Sequence, residues 1–236
     1  MRALILAAGD GGRLHPHTAG LPKPLVTLRG RPIIRHVIAS LRAAGVDDAT
    51  IVLGYRGDQV RAALAEDPPS GVRVRYVDND AWDRGNARSL WAARDAVTPP
   101  FILAMADHLL APAILRALAA GAGDRCRLAV DHVPVDDARA AGATRALVEG
   151  ARVVDLGKEI EPWNTLDTGA FWCTARAFDL LTDDTRDGEL AAIFAALARA
   201  GDLDAVDVTG HCWIDIDTEE DLRQAEALLA AHDRLA

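Results

Sequence analysis

The chain has 236 residues, half of them hydrophobic, and a formal net charge of −9. That length suits one compact domain spanning 1–236 with a sizeable core, and the acidic balance argues against non-specific binding of nucleic acid or of an anionic membrane. No apolar run reaches the roughly 18 residues of a transmembrane helix, and the start breaks into glycines too soon for a signal peptide. A cytoplasmic protein without membrane insertion is therefore expected. Cys126, Cys173 and Cys212 are too scattered for a disulfide framework or a CxxC metal site.

The pattern alternates strand and helix. Residues 2–7 form an almost wholly apolar run, as a strand buried on both faces requires. Pro32 then opens an amphipathic helix whose Ile33, Ile34, Val37, Ile38 and Leu41 share a face, closing near Gly45. Strands follow at 51–54, 72–77 and 101–105, with helices at 58–66 and 89–96. This βα winding predicts a mixed, mostly parallel sheet covered by helices on both faces, a three-layer Rossmann-like α/β fold. Further on, strands are expected at 128–133, 144–149, 153–156 and 169–173, and helices at 190–200 and 219–231. Thr218, three residues before Asp221, has the form of a helix-start cap.

Two scarcities direct attention to chemistry. Of 26 basic residues only Lys23 and Lys158 are lysine, and a compact ammonium persists where the guanidinium fork does not fit. Asparagine occurs only at 79, 86 and 164 and serine only at 40, 70 and 89, so the run Gly85-Asn86-Ala87-Arg88-Ser89-Leu90 concentrates two of these six. Small hydrogen-bonding side chains suit a pyrimidine edge, although Asn86 and Ser89 would also serve to start a helix.

Between the first strand and the first helix lies a connection of roughly 23 residues, far longer than usual for a βα loop. It reads Leu6-Ala7-Ala8-Gly9-Asp10-Gly11-Gly12-Arg13-Leu14 and runs on to Pro22-Lys23-Pro24-Leu25. Glycines at the carboxyl end of a parallel strand let backbone amides approach phosphates, and Arg13 and Lys23 bring positive charge. No Gly-Lys-Ser/Thr follows for a P-loop, and Leu14 stands where a dinucleotide fingerprint needs glycine.

This run resembles the signature of the sugar-phosphate nucleotidyltransferases, LAAG-x-G-Ser/Thr-R-L followed by PKPL, departing from it at Gly12. The resemblance implies nucleotide contacts from Leu6, Ala7, Ala8, Gly9, Gly11, Gly12, Asp80, Asn86, Ser89 and Ala106, with Arg13 and Lys23 holding the triphosphate. Residues 101–107 are similar to the family's strand ending in Gly-Asp, with Ala106 in place of the glycine. That implies Asp107 as a ligand of Mg²⁺, and a carboxylate at the end of a buried strand is costly unless it faces a cation or solvent. Asp215 and Asp217 share one face by strand alternation; the resemblance implies Asp217 as the second ligand, with Asp215 as the alternative. Lys158 and the run Asp167-Thr168-Gly169 resemble the family's acceptor segments, which implies acceptor contacts from Lys158, His108, Thr144, Asp167, Thr168 and Gly169.

The GN-x-x-SL run, together with 103–108 and 213–222, is most similar to the CTP:inositol-1-phosphate cytidylyltransferases and relatives acting on phosphocholine or phosphonates. The implied reaction transfers a nucleoside monophosphate, CMP from CTP, to a small phosphorylated alcohol such as inositol 1-phosphate. A sugar-1-phosphate nucleotidyltransferase using UTP, dTTP or GTP is the alternative. Retention of Lys23, Asp107, Lys158 and Asp217 argues against a non-catalytic nucleotide-binding module.

Overall fold

The computed structural model describes residues 1–11, 14, 20–121, 123–133, 138–140 and 142–231. In the first half, strands β1 (Arg2–Ala7), β2 (Thr27–Leu28) and β3 (Arg31–Pro32) lead into helix α1 (Ile33–Ala43). Strand β4 (Asp48–Leu53), helix α2 (Gly57–Glu66), strand β5 (Arg73–Asp78) and helix α3 (Ala87–Ala92) follow, then strands β6 (Phe101–Met105) and β7 (His108–Leu110) and helix α4 (Pro112–Ala119). The second half contains strands β8 (Cys126–Asp131), β9 (Arg145–Glu149), β10 (Arg152–Gly157) and β11 (Thr165–Cys173) and helices α5 (Arg176–Asp179) and α6 (Leu190–Arg199). It ends with strands β12 (Leu203–Asp207) and β13 (Trp213–Asp215) and helix α7 (Glu219–Ala231).

Nine strands form one sheet in the order β5-β4-β1-β6-β11-β8-β12-β10-β9, and β9 also reaches β11. Strands β5, β4, β1 and β6 run parallel, whereas β11 is antiparallel to both its neighbours, β6 and β8. Alternation along β1 divides the core into two layers. Ala3, Ile5 and Ala7 pack on the face covered by α1, α2, α4 and α7, and Leu4 and Leu6 on the face covered by α3, α5 and α6. This is the expected three-layer arrangement, and it explains why the first strand reads as a continuous apolar run.

Several boundaries differ from the sequence reading. β4 starts at Asp48 rather than 51. Its buried carboxylate is invisible to a hydrophobicity pattern because Arg73 and Arg75 pair with it at 3.1 and 3.0 Å. α3 is shorter than 89–96 and β11 longer than 169–173. Strands β7 and β12 and helix α4 were not foreseen, and β13 ends at Asp215, so Asp217 lies beyond the strand whose alternation was expected to align it with Asp215. The long loop after β1 holds a 3₁₀ turn, Lys23–Leu25, and the β2–β3 ribbon.

A second ribbon governs the site. β7 and β13 pair antiparallel, with His108 opposite Asp215, and the Ile216 amide donates to the Asp107 carbonyl at 3.1 Å. Residues more than a hundred positions apart are thus held in register just beyond the carboxyl ends of β1 and β6.

Candidate active site

A cavity of about 500 Å³ opens at that sheet edge. Its floor is the end of β1 and the loop that follows, Leu6 to Gly11. One wall is Gly85, Asn86 and Ser89 around the start of α3, and the opposite side carries Ala106, Asp107, Lys23 and Asp217. Such a position, at the carboxyl ends of parallel strands, is where open α/β sheets bind ligands.

At one end the Lys23 ammonium lies between two carboxylates, 2.6 Å from Asp107 Oδ2 and 2.7 Å from Asp217 Oδ1. The lysine side chain is 7% exposed, against 25% and 23% for its partners. Burial opposes the charge on Lys23, but the two carboxylates prevail and its pKa rises. Burial likewise disfavours the Asp107 carboxylate, yet Lys23 and His108 hold it well below the usual carboxylate range.

His108 makes the second set of contacts. Its Nδ1 is 2.8 Å from Asp107 Oδ1 and 3.6 Å from Asp215 Oδ1. Desolvation works against the imidazolium, but Asp215 and Asp107 outweigh it and push the pKa up to about 9. Burial raises Asp215 to about 6 despite the opposing pull of His108. Gly169 is fixed by this ring: its φ is +76°, and a Cβ there would fall 2.3 Å from His108 Cδ2.

Asp217 does not cap α7. That task falls to Thr218 and Asp221, whose Oγ1 and Oδ2 are 2.8 Å apart, with the Asp221 amide donating back to Thr218 Oγ1 at 3.2 Å. The Asp217 carboxylate is thereby turned to Lys23.

The carboxylates offer a hard oxygen set of the kind divalent magnesium prefers. Ligand atoms of Asp107, His108 and Asp215 lie within 4.8 Å of one another, and Asp215 Oδ1 is buried with no hydrogen-bond partner among the described residues. A buried carboxylate oxygen without a donor is what an ion would satisfy. Asp107 therefore fits as a ligand, with Asp217 beside Lys23 and Asp215 beside His108 both in reach of the same space.

At the other end, Ser89 is buried and its Oγ accepts from Asn79 Nδ2 at 3.1 Å. Asn86 makes no cap bond to α3; its Oδ1 accepts instead from the Leu190 amide. Gly85, with φ +97°, lies so close to Gly188 that a Cβ would come 2.1 Å from the Gly188 carbonyl oxygen. Asn79 and Glu189, neither of which the sequence assigned to the site, thus belong to this wall, Asn79 through Ser89 and Glu189 by lining the cavity directly.

Not every anticipated residue is brought here. Asp80 is exposed and lies outside the cavity lining; the buried neighbour Asn79 takes the inward position. Thr168 is fully buried and donates to the Ala129 carbonyl at 3.0 Å, so its hydroxyl joins strands rather than facing an acceptor. Asp167 accepts from the Gly169 amide at 2.7 Å, and the Thr144 carbonyl accepts from the Asp167 amide at 2.9 Å. Lys158 is exposed just past β10 and lines neither this cavity nor its neighbour. Gly12 and Arg13 lie outside the described residues. A second cavity of about 680 Å³ adjoins the first and shares Asp217 with it.

Residues 3–152 match the MobA-like NTP transferase domain, which covers most of the cavity-forming loops together with Lys23 and Asp107. The chain belongs to this family of nucleotidyltransferases. Among relatives of this nucleotidyltransferase, the bifunctional IPC transferase and DIPP synthase of Rubrobacter xylanophilus is 36% identical over 231 residues, which cover 96% of the chain and 51% of the relative. The chain thus spans about half the length of that protein. A solved structure, the inositol-1-phosphate CTP transferase from T. maritima, is similar with a TM-score of 0.86 at 27% identity, over 99% of this chain and 95% of that one. The UTP–glucose-1-phosphate uridylyltransferase of Haloferax volcanii is 29% identical over 97% of this chain and 96% of its own length. No helix among the described residues is long and apolar enough to cross a membrane.

Proposed function

We propose that the chain is a cytidylyltransferase that transfers CMP from CTP to a phosphorylated alcohol, inositol 1-phosphate or a related cyclitol or head-group phosphate, with release of pyrophosphate. The observation that carries this reading is the convergence of Lys23, Asp107 and Asp217 at one end of the glycine-floored cavity, with Asn86 and Ser89 at the other. The T. maritima transferase supports both the nucleotide and the acceptor class. The continuous sheet from β1 to β12 supports treating residues 1–236 as one catalytic unit, and the acidic charge and absence of a spanning helix among the described residues support a cytoplasmic setting.

In this reading an oxygen of the acceptor phosphate attacks the α-phosphorus in line, and the bond to the β-phosphate oxygen breaks. The attacking acceptor oxygen is already anionic near neutral pH, so no protein base is needed and catalysis rests on positioning and charge neutralisation. The backbone of Ala7, Ala8 and Gly9 receives the base, and Gly11 and Gly12 bring amides to the phosphates. Lys23 and Arg13 neutralise the departing pyrophosphate. Asp107, with Asp217 or Asp215, would hold Mg²⁺, which supplies Lewis-acid polarisation of the phosphoryl oxygens. His108 keeps Asp107 oriented through its 2.8 Å contact, and Lys158 with Asp167 serves the acceptor side.

Incubating the protein with CTP, UTP, dTTP or GTP against a panel of alcohol and sugar phosphates, and following pyrophosphate, tests this directly. CTP with a cyclitol phosphate should be the best pair. The Haloferax relative, matching along nearly its whole length, favours a second reading in which UTP and a sugar 1-phosphate are used; the same panel separates the two.

A further inference from the structure

We infer that Glu189 reads the exocyclic amine of the nucleotide base and selects CTP against UTP. The inference rests on the nucleotidyltransferase reading above and adds a residue that reading does not use. Glu189 lies in the connection between α5 and α6, far in sequence from the GN-x-x-SL run, yet four contacts fasten the two segments together. The Asp187 carboxylate pairs with Arg88 at 3.3 Å and Arg84 at 3.6 Å. The Gly188 carbonyl accepts from the Ala87 amide at 3.0 Å, and the Leu190 amide donates to Asn86 Oδ1. Glu189 is thus held on both sides, and this exposed residue lines the same cavity as Asn86 and Ser89.

The hydrogen-bond polarity of this wall follows from those contacts. Asn86 must turn its oxygen to the Leu190 amide, because an N–H needs an acceptor, and that leaves the Nδ2 group to donate. Ser89 Oγ already accepts from Asn79, which uses one of its two lone pairs and leaves its hydroxyl hydrogen free to donate. The Glu189 carboxylate only accepts, makes no side-chain hydrogen bond to α6, and has no side-chain partner among the described residues. This wall of the cavity therefore offers two donors and one strong acceptor. Cytosine shows the complement: O2 and N3 accept and the N4 amine donates. Uracil has N3–H and O4 in place of the last two, so its carbonyl would face a carboxylate. A carboxylate accepting from cytosine N4 is a known base-edge pairing in general recognition chemistry. It also accounts for an acid at the base end of a cavity that must take a polyanion.

The test is the ratio of kcat/KM for CTP to that for UTP, measured for wild type, Glu189→Gln and Glu189→Ala with one acceptor. Glu189→Gln keeps the shape and exchanges an acceptor-only group for one that can donate to O4. It should lower the CTP preference by about 10- to 100-fold, with UTP turnover rising in absolute terms. Glu189→Ala should lower CTP turnover and, by removing the acceptor that faces uracil O4, raise UTP turnover modestly, so that the ratio falls. An unchanged ratio in both variants, with thermal melting equal to wild type, would overturn the assignment, as would equal losses for the two nucleotides, which would mean contact with ribose or phosphate. If wild type itself turns over no nucleotide, it is the proposed reaction that fails, before Glu189 is tested.

Discussion

Replacing Lys23 by methionine keeps the volume of the side chain and removes its charge, so the fate of the Asp107–Lys23–Asp217 bridge can be followed separately from packing. The wild-type ammonium makes contacts of 2.6 and 2.7 Å to carboxylates that are each about three-quarters buried. Removing one member of a buried ion pair costs about 3–5 kcal/mol, because the remaining charge is left unpaired. Residual water access to the carboxylates and the nearby His108 place this case at or just below the lower bound of that range, about 2–3 kcal/mol. For a chain of this length each kcal/mol moves the melting temperature by roughly 2–4 °C, so Lys23→Met should melt roughly 5–10 °C below wild type in chelator. Adding millimolar Mg²⁺ should restore most of that loss in the variant and stabilise wild type less, because in the variant the dication is the carboxylates' replacement counter-charge. Differential scanning fluorimetry across a magnesium titration reads both numbers. Equal melting of the two proteins in chelator, or identical responses to the metal, would refute the view that lysine neutralises these acids. Turnover should remain depressed by orders of magnitude even when stability is restored, since the leaving-group charge is still missing.

Further expectations follow from the same geometry. Asp107→Asn should lose rate and magnesium dependence together, and an unaltered metal titration of activity would remove Asp107 from the ligand set. Gly85→Ala introduces a Cβ 2.1 Å from the Gly188 carbonyl at φ +97°; it should cost about 2–4 kcal/mol and raise the KM for nucleotide by displacing Asn86, checked by denaturant melts and nucleotide kinetics. Burial pushes Asp167 up to about 6 from an ordinary 3.8, the Gly169 amide only partly opposing it. The folded state therefore holds this proton more tightly, so its contribution is fully present below about pH 4 and is lost as pH rises through about 6. Asp167→Asn should consequently stabilise the protein at pH 8 by at most about 3 kcal/mol, with no gain at pH 4; a pH-independent difference would contradict the assignment. Lys158→Ala should raise the acceptor KM several-fold and leave that for nucleotide alone; unchanged acceptor kinetics would leave Lys158 as a solvated residue beyond β10.

How far the chain could be read depended on whether a local pattern existed. β1 and α1 declare themselves through unbroken apolar and 3.6-residue periodicity, and the structure keeps them within two residues of expectation. β12 reads Leu-Asp-Ala-Val-Asp and offers no period to recognise; it exists because β8 pairs with it, and β13, read only from the alternation of Asp215 and Asp217, is limited by its partner β7 to Trp213–Asp215. Within the site, Lys23, Asp107 and Asp217 were visible as rare or strategically placed charges. Asn79 was hidden by its neighbour Asp80, since only the end of β5 at Asp78 decides which of the two turns inward. Glu189 gave no signal at all, because its position depends on a tertiary clamp between Gly188 and the start of α3.

The β7–β13 ribbon has one more consequence. The Asp107 end and the Asp215–Asp217 end are aligned by the same short ladder, so neither can be repositioned without moving the other. A nascent chain could therefore complete β1, β4, β5 and β6 and still have only half of the proposed magnesium site until the segment near residue 213 pairs with β7.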